Sequence, residues 1–131
     1  MLNTPVQFTV DTLVGDYLKH YRFSIDDLSY SMDVINSPHS DYLRVQFTLN
    51  GKGTGIYNTG NAFRVFSAVM HILKQVMQDT GKSKLSFNSH LTLPSRVKLY
   101  DRFCSHMVKK GSASNWSYDD DSRYREYELA F

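Results

Sequence analysis

Residues Tyr57–Met77, YNTGNAFRVFSAVMHILKQVM, set a small glycine-containing turn directly before a long apolar stripe. Ala62, Val65, Phe66, Val69, Leu73, Val76 and Met77 recur at three- and four-residue intervals, the spacing that lines one face of an α-helix. This predicts a helix from about Gly60 to Asp79, stopped near Gly81, with its stripe against a core. At its start, Gly60 and Ala62 leave room for an anion to approach the unpaired backbone N–H groups and the positive end of the helix dipole. The same letters also describe an ordinary helix entry, with Gly60 permitting the turn and Thr59 or Asn61 as the cap.

Upstream the period changes. Leu43, Val45, Phe47 and Leu49 alternate with Arg44, Gln46 and Thr48, which predicts a half-buried strand from Tyr42 to Asn50. A second strand from Tyr30 to Ile35 joins it through NSPHSD, where Pro38 marks the turn of an antiparallel hairpin. Earlier still, Leu13, Val14, Tyr17 and Leu18 fall at helical spacing and predict a short helix from about Asp11 to His20, and SIDD from Ser24 offers another capping signal. The glycine-rich GKGTGIYNTG leaves space for at most a short strand around Gly55 to Asn58.

Downstream, Leu85 and Phe87 alternate with polar neighbours as a short strand. LPSRVKLYDRFCSHMVKKG follows as a second helix, with Pro94 in its first turn and Gly111 as its stop. Val97, Tyr100, Cys104, Met107 and Val108 form its apolar face. The tail predicts a final hairpin turning at Asp119–Asp121. This order of elements belongs to the α+β class, a three-layer α/β plan in which a mixed sheet carries helices on both faces. The strand at Leu85 is expected parallel to a neighbour from the Tyr42–Asn58 region, because a helical crossover joins them.

Composition narrows the functions. With 131 residues, 41% apolar and 21% charged, the chain reads as one domain, 1–131. A formal charge of +2 is far from a nucleic-acid footprint. Lys98, Arg102, Lys109 and Lys110 offer one basic helix face to a phosphate backbone, although a solvated face is the commoner meaning of such a stripe. The single cysteine, Cys104, excludes an internal disulfide and fits a reducing compartment. No run approaches the ~18 apolar residues of a membrane span. The opening MLNTPVQFTV lacks the regions of a signal peptide, so a cytoplasmic protein without a membrane partner is expected. Cys104 and His106 lack a second ligand pair, and Asp119–Asp121 is too short for a calcium loop; no metal is expected.

Two motifs together resemble the GCN5-related N-acetyltransferase (GNAT) superfamily. There a strand ends in a loop of the form Gln/Arg-x-x-Gly-x-Gly/Ala before a long helix, and YNTGNA is similar, with Gly60 and Ala62 in the small positions and Tyr57 where Gln or Arg is usual. LPSRVKLYDRF is similar to the family's later Asn-x-x-Ala-x-x-Leu-Tyr signature, keeping Leu99 and Tyr100 but with Leu93 for the Asn and Arg96 for the Ala. The resemblance spans roughly residues 42 to 110. It implies an acetyltransferase-like fold and acetyl-coenzyme A as cofactor, held by Tyr57, Asn58, Thr59, Gly60, Asn61, Ala62 and Ser95. It further implies that Tyr100 gives a proton to the departing thiolate, during transfer of an acetyl group to an amine. The style of the chain also resembles small phage-type proteins. Asp33 and Asp41 are the nearest carboxylates for an amine-deprotonating base, each also readable as a surface charge.

A second reading belongs to another class. Nine tyrosines, eight phenylalanines and the tail NWSYDDDSRYREYELAF suit a noncatalytic interaction module or a small inhibitor docking on a protein or nucleic acid. The same aromatics also serve to fill a small core.

Overall fold

Arg44 and Gln46 alternate with Leu43 and Val45, and Ser86 and Asn88 with Leu85 and Phe87, so each strand offers one apolar and one polar side. Pairing them in register joins like with like. In the computed structural model, which describes residues 8–13, 17–25, 28–49 and 62–131, this yields a seven-stranded sheet. The strands are β1 (Phe8–Leu13), β2 (Leu18–Ile25), β3 (Leu28–Ile35), β4 (Leu43–Leu49), β5 (Lys84–His90), β6 (Asn115–Asp120) and β7 (Tyr124–Ala130). Helix α1 (Ala62–Thr80) lies between β4 and β5 in sequence, and α2 (Pro94–Lys109) between β5 and β6. The spatial order is β1-β2-β3-β4-β5-β7-β6, antiparallel throughout except for the parallel pair β4–β5. The parallel neighbour, the hairpin around Pro38 and the final hairpin at the aspartates are all as the sequence predicts.

The N-terminal region differs. Where helical spacing predicts a helix over Asp11–His20, β1 and β2 form an antiparallel hairpin with Val10 opposite Tyr21. Tyr21, Phe23 and Ile25 are buried and Arg22 and Ser24 exposed, a period-two pattern that overrides the four-residue coincidence, and Tyr17 lies exposed at the turn. Ser24 accordingly sits within β2 and opposite Ser29 of β3 instead of capping a helix.

One sheet face is apolar from end to end: Tyr21, Phe23, Tyr30, Met32, Val34, Leu43, Val45, Leu85, Phe87, Tyr127 and Leu129 are all buried there. Phe66 of α1 stacks on Phe103 of α2 at 4.1 Å, and Tyr100 of α2 meets Phe47, Phe87 and Tyr127 of the sheet. Where the sequence predicts helices on both faces, both described helices therefore share this one. The opposite face carries Arg44, Gln46, Ser86, Asn88, Glu126 and Glu128, the pattern of a solvated surface.

The helix ends follow local chemistry. Gly81, at φ 74°, donates its N–H to the Met77 carbonyl and ends α1. Gly111, at φ 82°, ends α2: its N–H reaches the Val108 carbonyl while Ser112 reaches Met107, the paired bonds of a Schellman stop. In the last hairpin the Asp121 carboxylate accepts the N–H groups of Arg123 and Tyr124, both at 2.7 Å, which fixes the turn and holds that carboxyl below its usual range.

Candidate active site

The parallel pair β4–β5 is short. Leu43 faces Leu85 and Arg44 faces Ser86, and there the pairing stops. β4 goes on to Leu49 along β3, and β5 goes on to His90 along β7. The two strands thus part toward their C-terminal ends and leave a notch. α1 ends beside the start of β5 and α2 begins just beyond its end, so the N-termini of both helices lie at the notched end of the sheet. Strand C-termini and helix N-termini meeting at one edge is where open α/β sheets bind ligands, since backbone N–H groups and helix dipoles converge there.

Aromatic rings close the helix side of the notch. Phe47 of β4 and Phe87 of β5 have ring centroids 5.9 Å apart, and Tyr100 stands 5.9 Å and 5.5 Å from them. Tyr100 is 2% exposed. Burial raises its pKa strongly, and the nearby Arg96 guanidinium offsets only part of this, so the hydroxyl is protonated at neutral pH. Arg96 is itself buried in the first turns of α2.

On the open side, an ionic strap crosses the base of the notch. Arg44 donates to both oxygens of Glu126, at 2.6 Å and 3.3 Å, and to the Ser86 hydroxyl at 2.8 Å. Asn88 adds a bond to Glu126 at 3.0 Å. Burial alone would raise the Glu126 carboxyl; the bonds from Arg44 and Asn88 outweigh it and hold the group below its ordinary 4.5. The strap ties β4 to β7 across β5 where the strands part. We expect Glu126→Gln to cost about 1 kcal/mol at pH 7, discounted for partial exposure, or ~3–5 °C in Tm. A depressed carboxyl stabilises above its unfolded value and loses that contribution as pH falls through its folded value. The difference between wild type and variant should therefore shrink in thermal melts as the pH is taken down past 4.5, and vanish once the folded-state carboxyl is itself protonated.

A second ionic group fixes α2 to the last hairpin. Arg125 binds Asp120 through two bonds of 2.8 and 2.9 Å, reaches Asp101 of α2 at 2.9 Å, and covers the Tyr118 ring at 3.9 Å. The Tyr127 hydroxyl donates to Asp101 at 2.6 Å. These contacts hold the helix that carries Tyr100 against the sheet.

Of the residues that the family resemblance assigns to a cofactor, Tyr57, Asn58, Thr59, Gly60 and Asn61 lie outside the described residues. Ala62 opens α1 at the notched end, and Ser95 is exposed in the first turn of α2 at that same end. Asp41 precedes β4 at the far end of the sheet, 3.4 Å from Lys84. Asp33 lies on the open face across from Gln46, its carboxylate 2.6 Å from His20. Cys104 is fully buried, and burial, with Asp101 adding to it, pushes its thiol up to about 12. A thiol so placed is inert, and maleimide should label native protein more than ~100-fold slower than unfolded protein at pH 7.5. Fast native labelling would contradict this burial. Among the described residues no group of three or more His, Cys, Asp or Glu is placed to hold a metal ion, and no helix is long and apolar enough to cross a membrane.

Sequence reasoning missed the strap and the Arg125 group. Arg44 reads as the solvent side of an alternating strand, and nothing local names a partner that comes from the last strand.

No family model matches the chain, and no curated protein matches it. Solved structures do match in fold. The N-acetyltransferase PseH of Campylobacter jejuni is 14% identical, with TM-score 0.53, covering 87% of this chain and 68% of that one. The same enzyme in complex with acetyl coenzyme A aligns with TM-score 0.54 at 14% identity over the same shares of the two chains. A domain from Methanocaldococcus jannaschii DSM 2661 is 12% identical, with TM-score 0.53, over 90% of this chain and 70% of that one. The seven-stranded mixed sheet with its two helices is a GNAT-like, acetyltransferase-like α+β fold.

Proposed function

We propose that the chain binds an acyl-coenzyme A at the notched end of the sheet and transfers the acetyl group to an amine. The observation that carries this reading is the parting of β4 and β5 after Arg44 and Ser86, with two helix N-termini at the same edge. A pyrophosphate suits the start of α1, where Gly60 and Ala62 precede and open the helix. The thioester then lies along the separated strands, beside Phe47 and Phe87. Attack of the amine on the carbonyl carbon forms the amide bond and breaks the carbon–sulfur bond. The amine gives up one proton to water, the sulfur takes one from Tyr100, and water returns a proton to Tyr100 after the thiol has formed. Its raised pKa keeps that proton in place across the physiological range. The PseH neighbour solved with acetyl coenzyme A supports this choice of cofactor at the level of fold.

The test is free-thiol release from acetyl-coenzyme A with a panel of amines, polyamines and lysine-bearing proteins. Acceptor-dependent release supports transfer. Binding of the cofactor with no release for any acceptor favours the noncatalytic module, a reading that the close packing of Tyr100 among Phe47, Phe66, Phe87 and Tyr127 also suits.

A further inference from the structure

β6 is the last strand of the sheet, and among the described residues no strand covers its outer side. Its ladder to β7 runs regularly from Asn115–Ala130 to Asp120–Arg125, with no bulge and no proline to blunt it. The Asp121 N–H donates to the Tyr124 carbonyl, so by the alternation of an antiparallel ladder the backbone groups of Trp116, Tyr118 and Asp120 point outward. On the helix side this edge carries an aromatic row. Trp116 stacks on Tyr127 at 6.2 Å and beside Tyr118 at 6.0 Å, yet Tyr118 remains 49% exposed. A bare strand edge with a half-exposed aromatic, held on one ring face by Arg125, marks a pairing surface.

We infer that β6 pairs antiparallel with β6 of a second copy of this chain, joining two sheets across a two-fold axis. An outward residue must meet an outward residue. With Ser117 on the axis, Trp116 of one copy stands opposite Tyr118 of the other, so each exposed Tyr118 gains an aromatic cross-strand partner. Charge selects the same arrangement. Asp119–Asp121 fall at one end of β6, whereas the other end follows Lys109 and Lys110, both exposed where α2 closes. An antiparallel pair sets the acidic end of each strand beside the neutral start of the other, Asn115 opposite Asp119. A parallel pair would set aspartates against aspartates. A two-fold contact of this kind closes on itself and does not propagate.

The test uses Ser117, exposed on the open face opposite Glu128 and outside the proposed site. Sedimentation of the wild type over a concentration series should show a monomer–dimer equilibrium. Ser117→Glu and Ser117→Lys each set like charges face to face on the axis and should weaken the dimer at least ~10-fold. Mixing the two variants should restore it, which a folding defect could not do. A wild type monomeric throughout the series, or variants that dimerise as well as wild type, would overturn the inference.

Discussion

Tyr100→Phe should lower acetyl transfer by ~100-fold or more while leaving the fold intact, the scale expected when a general acid is removed. The ring contacts with Phe47, Phe66, Phe87 and Tyr127 all survive in phenylalanine, so the substitution isolates the hydroxyl. The loss should fall on kcat, with KM for acetyl-coenzyme A little changed, because the proton moves only as the carbon–sulfur bond breaks. Equal turnover in wild type and variant would remove Tyr100 from the chemistry and leave it as packing alone. Burial already raises its pKa, so no loss of wild-type activity from Tyr100 ionisation is expected between pH 6 and about pH 9. The acid works in its protonated form, and that form persists to higher pH when the pKa is raised.

Gly60→Glu should abolish binding of acetyl-coenzyme A, a loss of at least ~100-fold, or about 2.7 kcal/mol. A glutamate just before α1 adds bulk and negative charge where the dipole and free N–H groups would receive a pyrophosphate. Near a helix N-terminus an acidic residue is otherwise favourable, so the Tm of the free protein should hold or rise slightly. That contrast separates a lost binding site from a lost fold. Calorimetry at matched concentrations reads the first and a thermal melt the second. Unchanged affinity would make the turn before α1 an ordinary helix entry.

Much of this architecture is legible in the chain because burial leaves periodic marks. The α1 stripe and the alternation in β4 and β5 each come from one face meeting a core, and Gly81, Pro94 and Gly111 punctuate the helices where backbone conformation requires them. Asp11–His20 misleads for a physical reason. A few apolar residues near a turn can satisfy helical spacing by chance, and only the longer alternation through Tyr21, Phe23 and Ile25 shows which period the sheet enforces. The single apolar face of the sheet was likewise readable strand by strand, but which helix covers which face depends on crossovers that no local pattern encodes.

Of the candidate site, Tyr100 stands out from its motif and lies beside the notch, whereas the glycine turn falls outside the described residues. The notch arises from two strands that simply stop pairing, which no letter announces. Arg44 and Glu126 lie in strands far apart in sequence, and their bidentate bond exists only once β5 is set between them. Arg125 is similar. Its partners Asp101 and Asp120 belong to a helix and a strand, and their meeting depends on α2 lying over the last hairpin.

Isothermal titration of the wild-type protein with acetyl-coenzyme A tests most directly the proposal that the notched end of the sheet receives an acyl-coenzyme A. A single site with Kd of about 10 µM or tighter, near −7 kcal/mol, is the predicted result. No heat of binding at millimolar acetyl-coenzyme A would contradict it.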